Sequence, residues 1–327
     1  MTVLPYPHLP RNAHSGRSAC SGRIARSGVL LMVLAVGLSA FGVGCADGAE
    51  SRRETDGTEP LGIGKEVTVP IPAAVPTIVS AGAEPRSLLR PDYPAGTVQR
   101  VTLYTAHHIE QQLDEQPKRD FSTPAVTIPM TAQTTAEGID LTLGAVTSPD
   151  PTLSKALTKI GGSHAGFDLS DLGAITALRL ESAPDASNTA RAALEQAFYQ
   201  AVYRSVTFPD QPVGEGAVWT VQQEVTGGVL LDQVTTATLT ARDGDRLTIE
   251  LHVTQKPKSL VWNLPNNAGT LDIRDYVMQG TGTITVDLGL PLPVAGSITV
   301  GGHQSYRDPR TASTLRQTID TQVSWAE

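Results

Sequence analysis

The residues that could do chemistry are few, and their spacing does not suit it. The nearest approach to a nucleophile is Gly161-Gly162-Ser163-His164-Ala165-Gly166, where a serine stands beside a histidine. An esterase elbow carries its serine on a strand-to-helix turn with glycine two places on. Here Ala165 fills that place and a helical pattern precedes it, so the segment reads as a flexible loop. His107 and His108 are adjacent, and successive side chains on a strand point to opposite faces, so the two cannot chelate one ion together. His107 is in phase with Val101, Leu103 and Ile109 and reads as a satisfied buried histidine, whereas His108 reads as exposed. His252 and His303 occupy polar strand positions with no partner at metal-ligand spacing. Arg242-Asp243-Gly244-Asp245-Arg246 offers two carboxylates, but a calcium loop needs more oxygens over a longer span, and Asp-Gly is what a tight hairpin uses. Gly280, Gly282 and Gly289 precede no helix, so they do not cradle a phosphate; they suit bulges in a bent sheet. The expectation is a non-enzymatic protein with no metal and no cofactor.

One residue has chemistry of another kind. A basic segment containing Arg11, Arg17, Arg23 and Arg26 leads into an apolar run beginning at Val29, and the run ends in Phe41-Gly42-Val43-Gly44-Cys45. That is the order of a secretory signal. The apolar run of about 16 residues is short for a spanning helix, which needs about 20. The ending is similar to a lipobox, although Gly42 stands where leucine is usual. Residues 1–44 are therefore expected to be a lipoprotein signal peptide and Cys45 an acylated N-terminus, which would tether the protein to a bacterial membrane on its outer side. The only other cysteine, Cys20, lies in the discarded segment, so the mature chain has no internal disulfide and no thiol chemistry.

Residues 1–44 hold four of the 25 basic residues and none of the 33 acidic ones, which leaves the remainder strongly acidic. Such a balance repels phosphate backbones and makes nucleic acid an unsuitable partner. From 45 to 90 the chain is rich in Gly, Pro, Ala and Glu and reads as a tether, within which Val67 to Val79 could dock as an edge strand, where proline is tolerated.

The elements that must position any site begin beyond Pro91. Leu247, Ile249, Leu251 and Val253 alternate with polar residues, as do Ala237, Leu239 and Ala241, with Asp243-Gly244 between them: a hairpin. The same period recurs in 101–109, 139–145, 284–288, 294–300 and 315–325, so residues 91–327 are expected to form one mainly β domain. We expect a large curved antiparallel sheet or half-barrel of about ten strands. Two helices interrupt it, over 150–160 and 187–206, the second with an apolar stripe of Ala190, Leu194, Ala197, Phe198, Ala201 and Val202. A loose repeat, opening on Pro91-Asp92-Tyr93-Pro94 and again on Pro209-Asp210-Gln211-Pro212, suggests a duplication as 91–206 and 209–327.

The runs Val213-Gly214-Glu215-Gly216-Ala217-Val218-Trp219 and Gly280-Thr281-Gly282-Thr283-Ile284-Thr285 resemble uncharacterised bacterial lipoproteins classed as domains of unknown function. The layout of acylated cysteine, tether and curved sheet with helices inside is similar to half-barrel lipid and lipoprotein carriers of the LolA and LppX type. That resemblance implies binding of a lipid or other apolar or amphiphilic ligand on the concave face; Phe198, Val202, Trp219, Leu251 and Trp262 are candidate lining residues because they are large, apolar and near the expected helix-sheet contact, and no residue carries over from those carriers. The competing expectation is a packed structural or interaction domain of the cell envelope.

Overall fold

The computed structural model describes residues 65–136, 138–226, 228–264 and 268–327. The expected signal segment, Cys45 and the first part of the tether lie outside the described residues. The strands are β1 (Val67–Pro70), β2 (Val75–Ser80), β3 (Val98–Leu113), β4 (Arg119–Asp120), β5 (Thr123–Thr134), β6 (Ile139–Leu143), β7 (His164–Leu169) and β8 (Ile175–Glu181). They continue with β9 (Val218–Thr226), β10 (Leu230–Asp243), β11 (Arg246–Pro257), β12 (Val261–Asn263), β13 (Thr270–Asp287), β14 (Ala295–Arg307) and β15 (Thr314–Ala326). All 15 belong to one open sheet, with 13 abreast in the order β1-β8-β7-β6-β5-β3-β15-β14-β13-β11-β10-β9-β2. Every pairing is antiparallel. Two meanders, β3 to β8 and β9 to β15, thus run in the same sense along the sheet and meet where β3 pairs with β15.

The sheet must be strongly curled. Thirteen strands at about 4.8 Å spacing would span nearly 60 Å if flat. Yet β1 lies on one edge and β2 on the other, joined only by Ile71 to Ala74, which can reach about 17 Å at most. The segment forms a strap across the seam between β8 and β9. Ile71 N–H bonds Thr176 O at 2.8 Å on one side, and Gln223 Nε2 donates to Pro72 O at 2.9 Å on the other. Beyond β2 the chain threads against 213–217, where a Cβ on Gly82 (φ +73°) would stand 2.5 Å from Gly214 O. Leu89 is fully buried. This corrects the tether boundary: the folded part begins by Val67, and of the 45–90 segment only residues before 65 are left as candidate tether. Composition misled there because proline and glycine serve edge strands and close approaches as well as linkers.

Alternation sets the faces. The expected hairpin is β10–β11, turning at Gly244 (φ +61°), with one register shift between Leu239 and Ala241. Gly280 and Gly282, expected at bulges, sit instead in an unbroken register between β11 and β14. Their missing Cβ atoms make room for Thr299 O and Ser297 O, which a side chain would meet at 2.5 and 2.3 Å.

Both helices form where the pattern placed them. In α1 (Pro151–Leu157) Asp150 caps the start by accepting Leu153 N–H at 2.6 Å, and in α2 (Asn188–Val202) Ser187 accepts Ala190 N–H at 3.3 Å. α2 ends four residues before the expected 206, as Arg204 N–H turns back to Ala201 O and the chain runs on to a bond between Phe208 N and Leu172 O at 2.9 Å. No helix among the described residues is long and apolar enough to cross a membrane.

Candidate functional site

The concave interior can be read row by row across the ladders. One row runs Leu103, Trp325, Gly296, Ile284, Ile249, Leu239, and the next runs Val126, Thr105, Val323, Ile298, Gly282, Leu251, Ala237, Trp219, Ile78. Two steps further along β9 to β11, and three along β3, β15 and β14, the character changes. Gln255, Gln233 and Gln223 stand side by side on β11, β10 and β9, and Gln111, Gln317 and Gln304 stand side by side on β3, β15 and β14. All but Gln223 are buried. The inside of the curled sheet is therefore apolar at one end and amide-lined at the other.

α2 lies against this concave face, touching β3, β8 and α1. Phe198 packs edge-on to Phe167 of β7, ring centroids 6.2 Å apart. Toward β3 and β5 the helix does not fill the space. A groove of about 270 Å³ lies between them, floored by buried Ala197 of α2, Leu153 of α1 and Val126 of β5 and open to solvent at Pro124, Thr152, Thr189 and Ala192, which are exposed. Thr105 and His107 of β3 and Gln196 and Gln200 of α2 add the polar contacts. His107 Nδ1 lies 2.7 Å from Thr321 Oγ1, and burial, reinforced by neighbouring His108, pulls the imidazole down to about 4, so it is neutral at physiological pH. The lining carries no basic side chain, and its one carboxylate, Asp150, is engaged as the cap of α1.

On the opposite side the interior is full. Val206 and Phe208, beyond α2, join Trp219, Leu239, Leu247, Ile249 and Leu251 in one cluster, with Trp219 Nε1 donating to Thr207 O at 2.9 Å. Arg204 enters this wall from the same segment, its Nη1 bonding Tyr203 O at 3.0 Å and Gln233 Oε1 at 2.9 Å. Gln255 Nε2 donates to the same Gln233 oxygen at 2.9 Å. Beneath the strap, between Ala74, Tyr203, Ser205, Gln223 and Gln233, is a void of about 20 Å³.

The five candidate lining residues do not converge on one cavity. Phe198 and Trp219 are fully buried in packed surroundings, Val202 is buried on the same helix stripe, and Leu251 borders only the small void. Trp262 of β12 packs against Tyr306 of β14 with the rings tilted by 50° and centroids 5.0 Å apart, and it lines neither the groove nor the void. The residues that do line the groove beside α2 are the small ones on α2 and the threonines opposite, which a search for large apolar side chains passes over, and a further pocket of about 370 Å³ lies at the glutamine-lined end between Gln111, Gln304 and Gln317.

The sites weighed for other chemistry have structural roles. Ser163 is buried and its Oγ accepts Ala183 N–H at 2.9 Å, while His164 begins β7, so the loop is shorter than expected. His303 pairs with Asp275 at 2.9 Å and His252 with Glu250 at 3.4 Å, both on the outer face. Among the described residues no three His, Cys, Asp or Glu side chains are grouped to hold a metal. No protein-family model, curated protein or solved structure matches this chain.

Proposed function

We infer that this chain is a non-enzymatic binding protein, tethered through Cys45 outside the cytoplasmic membrane, which takes the apolar part of a lipid or other amphiphile inside its curled sheet. The observation that carries the reading is the groove of about 270 Å³ between α2 and β3 and β5. Drug-sized ligands occupy about 300 Å³ upward, so this groove, open to solvent on one side, suits a short chain or one arm of a larger molecule. Its walls are small side chains on regular elements, which hold the space open without strain. The neutral His107, the threonines and the glutamines of α2 supply a few directional contacts among apolar surface, the usual make-up of a ligand pocket.

Mass spectrometry of organic extracts from the purified protein tests this directly. A copurifying lipid, and displacement of a fluorescent fatty acid by that lipid, are the expected results. A clean extract together with no uptake of the probe would leave a packed structural domain of the envelope as the better reading.

A further inference from the structure

We propose that the rim of the sheet at its amide-lined end faces the membrane, with Leu260 set among the lipid headgroups, so that the groove beside α2 opens toward the bilayer that supplies its amphiphile. The proposal rests on the tether at Cys45 and on the groove as the ligand site. Three separate features of the molecule lie at this one rim. The chain enters there, since Val67 at the start of β1 pairs with Leu180, one residue from the end of β8. Cys45 precedes Lys65 by 20 residues, which reach about 70 Å at full extension, so along the chain this rim is the nearest part of the domain to the anchor. The groove opens there too: β5 begins at this rim, α1 follows the end of β6 and α2 follows the end of β8, and Pro124, Thr152, Thr189 and Ala192 are exposed at the mouth.

The third feature is an apolar tip. β12 continues the line of β11 along β13, so Leu260 and Val261 project beyond the β9–β10 turn, where Lys258 N–H bonds Leu230 O at 2.9 Å. Leu260 is 71% exposed, more than any other large hydrophobic side chain among the described residues, and Leu230 and Val261 are 42% and 41% exposed at the same rim. Three apolar side chains exposed together mark a contact surface. What they meet is indicated by their surroundings. All six lysines of the chain, Lys65, Lys118, Lys155, Lys159, Lys256 and Lys258, are exposed on segments that leave from or return to this rim. The turns of the opposite rim carry Asp171, Asp243, Asp245 and Asp287 instead, which an anionic bilayer repels. Carboxylates such as Glu224 and Asp232 beside Lys258 are interspersed, so the apolar tip supplies the contact and the lysines flank it. Lysine stems around exposed leucine and valine, with the Trp262 and Tyr306 rings just behind, suit a lipid interface.

The test uses the protein purified from membranes and placed in vesicles of phosphatidylcholine and phosphatidylglycerol with brominated acyl chains, tryptophan emission being read against unbrominated vesicles. Trp262 adjoins the tip, whereas Trp219 and Trp325 lie toward the opposite rim. Bromine should quench part of the emission, and Trp262→Phe should remove that part while Trp219→Phe does not. Leu260→Asp, at an exposed position, should leave the melting temperature unchanged and cut the quenching at least twofold; should Trp262→Phe not fold, this variant decides. No quenching of the anchored native protein, or quenching that survives Leu260→Asp, overturns the orientation and leaves the groove reading intact. Quenching through Trp262 in a protein that yields a clean lipid extract and takes up no fatty acid keeps the membrane-facing rim and overturns the groove as its ligand site. A protein that takes no fatty-acid label at Cys45 and stays off the vesicles overturns the tether and the orientation together.

Discussion

The two sides of the interior share rows of the same ladder yet differ in what they enclose. A single row passes from Val126 and Thr105 at the groove to Leu251, Ala237 and Trp219 in the packed cluster. On the β9–β11 side bulky side chains meet Val206 and Phe208, and nothing larger than a water fits between them. On the β3–β5 side Thr105 and Val126 face Ala193 and Ala197, and about 270 Å³ stays open. The covering element differs, α2 on one side and the segment of Val206 and Phe208 on the other, and with it the side-chain volume across the gap.

Deleting residues 65–80 should have the largest effect, because it strips both edges of the sheet and opens the seam that holds its ends together. We expect loss of the cooperative melting transition and association through the exposed edges, read by calorimetry and size exclusion. A chain starting near Leu88 that melts like one starting near Thr58 would show that the curl needs no strap. Next come the aromatic anchors. Trp219→Ala and Phe198→Ala should each cost roughly 3–5 kcal/mol in urea unfolding, since both side chains are fully buried. Phe198 was the candidate for a ligand-facing wall; a cost well below that of Trp219→Ala would mean that the hollow reaches around it.

Much of the architecture was legible because period-2 alternation reports burial on one face. The β10–β11 hairpin and the stripe through Phe198 follow from local residues alone. That Val67 to Val79 could form an edge strand was legible, and β1 and β2 do stand at the two sheet edges; that they join those edges as a strap was not, since their partners lie more than a hundred residues away. Nor was the amide-lined end. Gln111, Gln233, Gln255, Gln304 and Gln317 stand in the apolar phase of their strands, as Gln255 does after Leu251 and Val253, and that misfit was the available signal. The groove needed the fold itself, because the absence of side-chain volume leaves no pattern in a sequence.

His107 gives the hollow side a pH signature that the packed side lacks. Its folded value, about 4, lies below the ordinary 6.5, so the unfolded chain binds the proton more readily. The contribution is complete above pH 6.5 and is lost as pH falls towards 4. Lowering the pH from about 7.5 to about 5 should cost at most about 2 kcal/mol through this residue. His107→Asn should flatten that part of the profile, measured as the difference between urea unfolding curves of the two proteins. An identical slope in the variant would mean that the ring is wetter than its surroundings indicate.

The smallest effect is also the sharpest test of the comparison, because one substitution is made on both sides. Ala237 is 1% exposed among the bulky side chains of β9, β10 and β11, so Ala237→Leu adds volume where none is free and should cost about 1–3 kcal/mol. Ala193 stands on α2 at the groove wall, where leucine keeps the helix and has open space in front of it. Ala193→Leu should therefore change stability by no more than about 0.5 kcal/mol, or raise it, while removing room for an apolar probe. The two outcomes are read together, by chemical unfolding and by fluorescent fatty acid uptake. If Ala193→Leu destabilises the chain as much as Ala237→Leu does, the β3–β5 side is as tightly filled as the β9–β11 side and there is no hollow to hold a ligand. If Ala193→Leu is tolerated and uptake is unchanged, the ligand lies elsewhere on the concave face, and the amide-lined end becomes the place to look.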